Sequence, residues 1–126
     1  MPRFVLLEHC WDGVHWDLMF EVGSILKTWA LDAPPGPDAD LPARALADHR
    51  RAYLDYEGPI SGGRGTVRRV DRGTYEPLAW RDDLVRVRLE GAQLRGIAAL
   101  WLDAGGAGAI ERSRPRTWTF RFGNFD

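Results

Sequence analysis

The stretch His9–Asp17, HCWDGVHWD, holds two of the chain's three histidines six residues apart, with an aspartate two positions beyond the second. In a β-strand, side chains at i and i+2 share a face, so His15 and Asp17 project together. A turn within residues 11–14 can bring His9 back beside His15. Two imidazoles and a carboxylate form a recurrent divalent-metal set that leaves coordination positions open for water or substrate. Nitrogen and oxygen ligands together suit manganese, iron or zinc better than magnesium. Such a centre can act as a Lewis acid on a phosphoryl oxygen and lower the pKa of a bound water. The spacing H-x5-H-x-D is weak when taken alone, because surface histidines and aspartates are common near turns, and on spacing only the solvated reading carries more weight. Glu8 and Asp12 read as solvated turn charges. Cys10, the single cysteine, has no internal disulfide partner; pointing opposite to His9 in a strand, it reads as a small core residue.

The third histidine lies in DHRRAYLDYEG. If this segment is extended, His49, Arg51 and Tyr53 face one way; if helical, His49 and Tyr53 meet at i, i+4. Both geometries keep His49 beside Tyr53, although a structural histidine and a half-buried tyrosine would look the same. Residues 58–65, GPISGGRG, must be loop. Glycine-rich backbone can cradle an anion, but no G-K-[ST] follows, and composition fits an ordinary hairpin connection. Arg64 is the residue of interest within it. Trp11, in the turn, is the tryptophan expected to be exposed and able to stack on a base; the other five read as core or barrel-end packing.

The elements that must position these groups are short strands. Residues 3–7 (RFVLL), 15–21 (HWDLMFE) and 25–31 (ILKTWAL) read as strands, with a hairpin turn at Val22-Gly23-Ser24. Residues 33–40 (APPGPDAD) form a surface loop, and 41–49 (LPARALADH) is a strand or a short helix. Residues 66–70 and 74–80 flank Asp71-Arg72-Gly73, a tight-turn pattern. Residues 84–89 (LVRVRL) alternate cleanly, residues 91–93 turn the chain, and 94–102 form the next strand. Residues 103–108 are a glycine-rich loop, and 117–122 (TWTFRF) close the chain. The expected class is all-β: a compact antiparallel β-barrel of about six to nine short strands with little helix, formed by residues 1–126 as one domain.

A net charge of −1 gives no bulk signature of nucleic-acid binding. Sixteen arginines accompany one lysine, Lys27; arginine suits bidentate phosphate contacts, although GC-rich codon usage accounts for the bias more simply. No apolar run approaches the roughly 20 residues of a membrane helix, and no secretory signal is evident, so the expectation is a cytoplasmic protein with no membrane partner.

Taken in order, H-x5-H-x-D, L-K-x-W-A, D-H, Y-x-D-Y-E-G, G-x-G-T-V, D-R-G-T-Y-E-P and L-x-G-x-x-L-x-G resemble the 3′-phosphoesterase domain of bacterial DNA ligase D, from about Phe4 to Trp101. The resemblance implies a β-barrel that uses manganese, or another divalent transition metal, to resect 3′-ribonucleotides and remove 3′-phosphates. DNA or RNA–DNA 3′ ends would be its substrates in non-homologous end joining, and a separate ligase or polymerase a candidate partner. By the same resemblance His9, His15 and Asp17 match metal ligands, His49 and Tyr53 match groups that meet the anion, and Glu57 has a structural place. Two positions depart from the pattern: Met19 stands where an arginine is usual and Ala33 where a lysine is usual. Arg51 or Arg64 is the expected source of the missing substrate-binding charge. Three readings remain open on sequence alone: an active metal-dependent phosphoesterase, a catalytically weak or inactive relative that binds DNA ends or a repair partner, and an unrelated metalloenzyme on a similar barrel.

Overall fold

A computed structural model describes residues 1–37, 39–103 and 117–124. Among them nine strands run in chain order: β1 (Arg3–Cys10), β2 (Val14–Val22), β3 (Ile25–Leu31), β4 (Asp40–Arg50), β5 (Gly58–Pro59), β6 (Thr66–Arg81), β7 (Leu84–Gly91), β8 (Arg95–Leu102) and β9 (Trp118–Asn124). One turn of 3₁₀ helix spans Arg51–Leu54. The sheet order is β1-β2-β3-β4-β9-β8-β7-β6-β5, and β1 also pairs with β6. The sheet therefore closes on itself as an eight-strand antiparallel ring, with β5 laid along β6. Closure leaves few free strand edges.

The sequence periodicity explains the wall. In β7, Val85, Val87, Leu89 and Gly91 are buried while Arg86, Arg88 and Glu90 are exposed, the period-2 alternation of a strand with one wet face. In β1 and β2 the alternation is masked. Phe4 to Leu7 and Leu18 to Phe20 are buried on consecutive positions because both faces of these strands are covered. Inside the ring, Phe4, Leu6, Phe20, Leu31, Val87, Leu100, Phe120 and Phe122 belong to one core drawn from nearly every strand. On the opposite face of β1 and β2, Val5, Leu7 and Met19 pack with Leu26, Val67 and Leu54 from the 3₁₀ turn. That second cluster is the floor on which the site is built.

Residues 41–49 resolve as strand. Their alternation is irregular because β4 carries a bulge, and the 3₁₀ turn begins directly after it. Cys10 corrects its expected core position: it is exposed, since β1 outruns the core there and enters the Trp11–Gly13 turn. The Asp71-Arg72-Gly73 turn is also corrected, because β6 runs unbroken through it. The turn chemistry is real but serves another loop. The Asp71 carboxylate is buried and accepts the backbone N–H groups of Arg72 (2.8 Å), Ala92 (2.9 Å) and Leu94 (2.8 Å), with Gln93 at 3.2 Å. It thereby ties β6 to the β7–β8 turn. Gly73 sits where a Cβ would lie 2.0 Å from the Glu90 carbonyl oxygen; its glycine marks a close crossing of backbones. The glycine-rich loop lies, beyond Asp103, outside the described residues.

Replacing Asp71 with alanine strips one acceptor from four backbone donors. Leaving buried donors unpaired costs about 1–3 kcal/mol each at most. The urea midpoint of Asp71→Ala is expected to report a loss of about 2–4 kcal/mol; a change within about 0.5 kcal/mol would mean the β7–β8 turn holds without its anchor.

Candidate metal centre

His9 and His15 face each other directly across the β1–β2 ladder, and Asp17 follows two residues along β2. The hairpin that sets this register is three residues long. Asp12 and Gly13 both take positive φ, +52° and +105°, the left-handed backbone that Asp and Gly tolerate best. The outcome is convergence: His9 Nδ1 lies 3.2 Å from His15 Nε2 and 3.4 Å from Asp17 Oδ2, and His15 Nε2 lies 3.1 Å from Asp17 Oδ1. One ligand atom from each residue falls within 4.8 Å of the others.

Tautomers follow from the partners. His9 Nε2 is 2.8 Å from the Arg64 carbonyl oxygen, which can only accept, so Nε2 carries the proton and Nδ1 presents a lone pair to the cluster. This is the outer support that orients ligating histidines. Gly65, at φ +81°, makes it possible: a Cβ there would sit 1.9 Å from the Cys10 carbonyl oxygen. Glycine lets the residue 60–65 loop, which follows β5, press against the end of β1 and deliver the Arg64 carbonyl.

Asp17 is the least solvated member, with its side chain 3% exposed. Its Oδ1 is buried and has no hydrogen-bond partner among the described residues. Burial pushes the Asp17 carboxyl above the ordinary aspartate range, against the opposing pull of His15, His9 and His49. Burial likewise lowers the His15 imidazole; Asp17 opposes this, while His9 and Arg44 reinforce it. A buried carboxylate whose close polar neighbours are two imidazole nitrogens fits a divalent cation: the charge that burial disfavours would be neutralised by the ion. Two nitrogens and a carboxylate suit manganese, iron or zinc.

The cluster opens into a cavity of about 280 Å³ lined by His49, Tyr53, Arg44, Arg64, Met19 and Trp11 among others. His49 reaches it through the β4 bulge. Thr28 pairs with Leu46 and Leu26 with His49, so three steps along β4 match two along β3. Without the extra residue, strict alternation from Leu46 would turn Asp48 inward and His49 outward. His49 Nδ1 donates to the Ala47 carbonyl oxygen at 2.8 Å, which leaves Nε2 as its free ring nitrogen. His49 and Tyr53 meet edge to face with ring centroids 5.7 Å apart, so the expected pair is together. Trp11 is 50% exposed at the mouth and stacks on His9.

The cations are arranged differently from expectation. Arg64 lines the cavity, but its guanidinium folds back onto Ser61, with Nε donating to the Ser61 carbonyl at 2.8 Å. Arg51 does not line the cavity; it pairs with Glu21 instead. The 3₁₀ turn breaks the alternation that would have put Arg51 beside His49. Ala33 lies in the β3–β4 connection, also outside the lining. Glu57 accepts the Arg69 N–H at 2.9 Å, a structural contact. Arg44 carries no local sequence signal. Only the strand register could have found it: Asp17 pairs with Ala30, and Ala30 with Arg44.

A model of the DNA ligase D 3′-phosphoesterase domain matches residues 7–101. The chain is 36% identical over 83 residues to the multifunctional non-homologous end joining protein LigD of Pseudomonas aeruginosa. The match covers 60% of this chain and 10% of that protein, so the chain spans about a tenth of that relative's length.

The linkage at Asp17 gives a signed expectation. A folded-state pKa above the unfolded value means that stability is full below the unfolded pKa and falls as pH rises through the folded one. At neutral pH the metal-free Asp17→Asn protein should therefore melt above the parent. Saturating manganese should reverse the order, raising the parent's stability by about 2.7 kcal/mol at 100 times its Kd and the variant's far less. Differential scanning fluorimetry with and without the ion checks both; equal shifts in the two proteins would remove Asp17 from the ligand set.

Proposed function

The chain belongs to the DNA ligase D 3′-phosphoesterase domain family, and we propose that it is a metal-dependent phosphoesterase that cleans nucleic-acid 3′ ends for DNA repair. The observation that carries the proposal is the meeting of His9, His15 and the buried Asp17 carboxylate in a cavity also lined by His49 and Tyr53. His9 Nδ1, His15 Nε2 and an Asp17 oxygen would hold the cation, manganese by family resemblance. When bound, the ion supplies Lewis acidity toward a phosphoryl oxygen and eases ionisation of a water.

The chain's own residues do the rest. For a 3′-phosphate, a water oxygen bonds to phosphorus and the P–O3′ bond breaks. The leaving O3′ keeps the electron pair and takes the Nε2 proton of His49 in its doubly protonated, imidazolium form, leaving the Nδ1–H neutral ring; the proton lost by the water passes to solvent, from which the ring is reprotonated. The Nδ1–H bond to Ala47 fixes the ring so that Nε2 is the nitrogen left for this transfer. The Tyr53 hydroxyl donates a hydrogen bond to a non-bridging oxygen. Trp11 offers a face on which the terminal base can stack. The same arrangement serves 3′-ribonucleotide resection.

DNA or RNA–DNA ends are the substrates of this reading, with a cytoplasmic location beside the chromosome. No helix among the described residues is long and apolar enough to cross a membrane. A ligase or polymerase acting on the cleaned end is proposed as a partner. A second reading, end binding without turnover, draws on Met19, an apolar side chain lining the cavity.

Purified protein with manganese and a primer-template ending in a 3′-phosphate or one 3′-ribonucleotide separates the two. Active protein shortens or dephosphorylates the primer, and chelation stops it. His15→Ala should abolish the product, and His49→Ala should slow it by about 10²–10⁴, the usual worth of a general acid. Tight end binding with no product from manganese-loaded protein would select the second reading.

A further inference from the structure

Two arginines line the cavity, and their commitments differ. The Arg64 guanidinium is tied to Ser61 through Nε and, at 3.4 Å, through Nη2 to the hydroxyl. The Arg44 side chain is exposed, and among the described residues its guanidinium has no hydrogen bond and no ion pair. Two other cations close by are paired, Lys27 with Asp48 and Arg51 with Glu21, and Arg50 does not line this cavity. Among the described residues Arg44 is thus a charge without a counter-ion at the edge of the cluster's cavity.

Its placement is fixed by register. Arg44, Ala30 and Asp17 form one row across β4, β3 and β2 and share a face. Two strand spacings put the Cα atoms of Arg44 and Asp17 about 10 Å apart. An arginine side chain spans most of that distance, and the intervening Ala30 offers only a methyl group, so nothing screens the guanidinium from the centre. The next row holds Leu46, Thr28 and Met19, which bring no charge. Across the ring wall the order is Arg64 on the residue 60–65 loop, His9, His15 with Asp17, then Arg44. A group bound over the cluster has a cation on either side, and only the one on β4 is free to move toward it.

We propose that Arg44 is the side chain that grips the terminal phosphate and sets it against the His9–His15–Asp17 centre. The role rests on the phosphoesterase reading and names its phosphate-binding residue. A guanidinium can hold two non-bridging oxygens at once, which fixes the tilt of the P–O3′ bond toward His49. The cation reaches the anion from β4, while position 19 on β2 stays apolar and completes the floor with Val5, Leu7 and Leu54.

The test uses inorganic phosphate titrated calorimetrically into manganese-loaded protein, alongside turnover of a 3′-phosphorylated primer. Arg44→Ala should weaken phosphate binding at least tenfold, hold manganese affinity within about twofold, and lower kcat/KM by about 10²–10³. Arg44→Lys should fall between, since a point charge cannot make the two-pronged contact. Because Arg44 is exposed, both variants are expected to melt like the parent. Unchanged phosphate affinity in Arg44→Ala, a loss seen in Arg64→Ala alone, or no saturable phosphate binding to the parent would each overturn the assignment. If the parent binds manganese and phosphate, Arg44→Ala loses the phosphate, and neither protein cleaves a 3′ end, the phosphoesterase reading fails while Arg44 stands as the anion's ligand.

Discussion

An ionised carboxylate is costly to bury, and the fold buries that of Asp17 against two imidazoles. Its Oδ1 lies in the wall with no hydrogen bond among the described residues, while two histidine nitrogens converge on the same point. A chain selected only for stability would place a hydroxyl or an amide there, or let the carboxylate reach water. The arrangement makes sense as a charge kept in reserve for a cation. Much of the surrounding construction maintains it: Asp12 and Gly13 set the register that opposes His9 to His15, and Gly65 admits the loop whose carbonyl fixes the His9 tautomer.

The wall can carry such a centre because it is buried on both faces. Inside the ring, Phe4, Leu6, Leu18 and Phe20 belong to the main core. Outside it, Val5, Leu7 and Met19 are sealed beneath Leu54 of the 3₁₀ turn. Had the outer face been solvated, as that of β7 is, the cluster would be hydrated and its histidines free to rotate. Tyr53 comes from the same 3₁₀ turn that contributes Leu54. One short segment thus closes the outer core and supplies a site residue, which couples folding of the cover to assembly of the cavity.

What the sequence discloses depends on how far apart the interacting residues are. His9, His15 and Asp17 lie within one hairpin, where period-2 geometry and a short turn suffice to bring them together, and their spacing was readable. The pair His49 and Tyr53 survived an undecided local structure because extended and helical geometries both keep them close. The face on which His49 lies was not readable, since it follows from one extra residue in β4, a bulge visible only against β3. Arg51 shows the same gap: the 3₁₀ turn sends it to Glu21. Asp71-Arg72-Gly73 carried authentic turn chemistry, but its acceptor serves N–H groups about twenty residues away. Cys10 was misplaced because alternation says which way a side chain points and not where the core ends.

Arg44 marks the deepest limit of local reading. Nothing in PARALAD distinguishes that arginine from fifteen others; its meaning arises from a row that crosses three strands. Charge is a long-range interaction, so a site needing a cation can draw it from any strand whose row passes the centre, provided nothing between is bulky or acidic. Ala30 meets that condition. Metal ligands have no such freedom, because coordination needs atoms within a few ångströms and at set angles. Ligands are therefore expected to stay in one hairpin, with fixed spacing, while an anion-gripping arginine can change strands and leave the geometry around the ion untouched. An apolar residue at position 19 then says nothing by itself about activity, because what matters is the field at the phosphate, whichever strand supplies it.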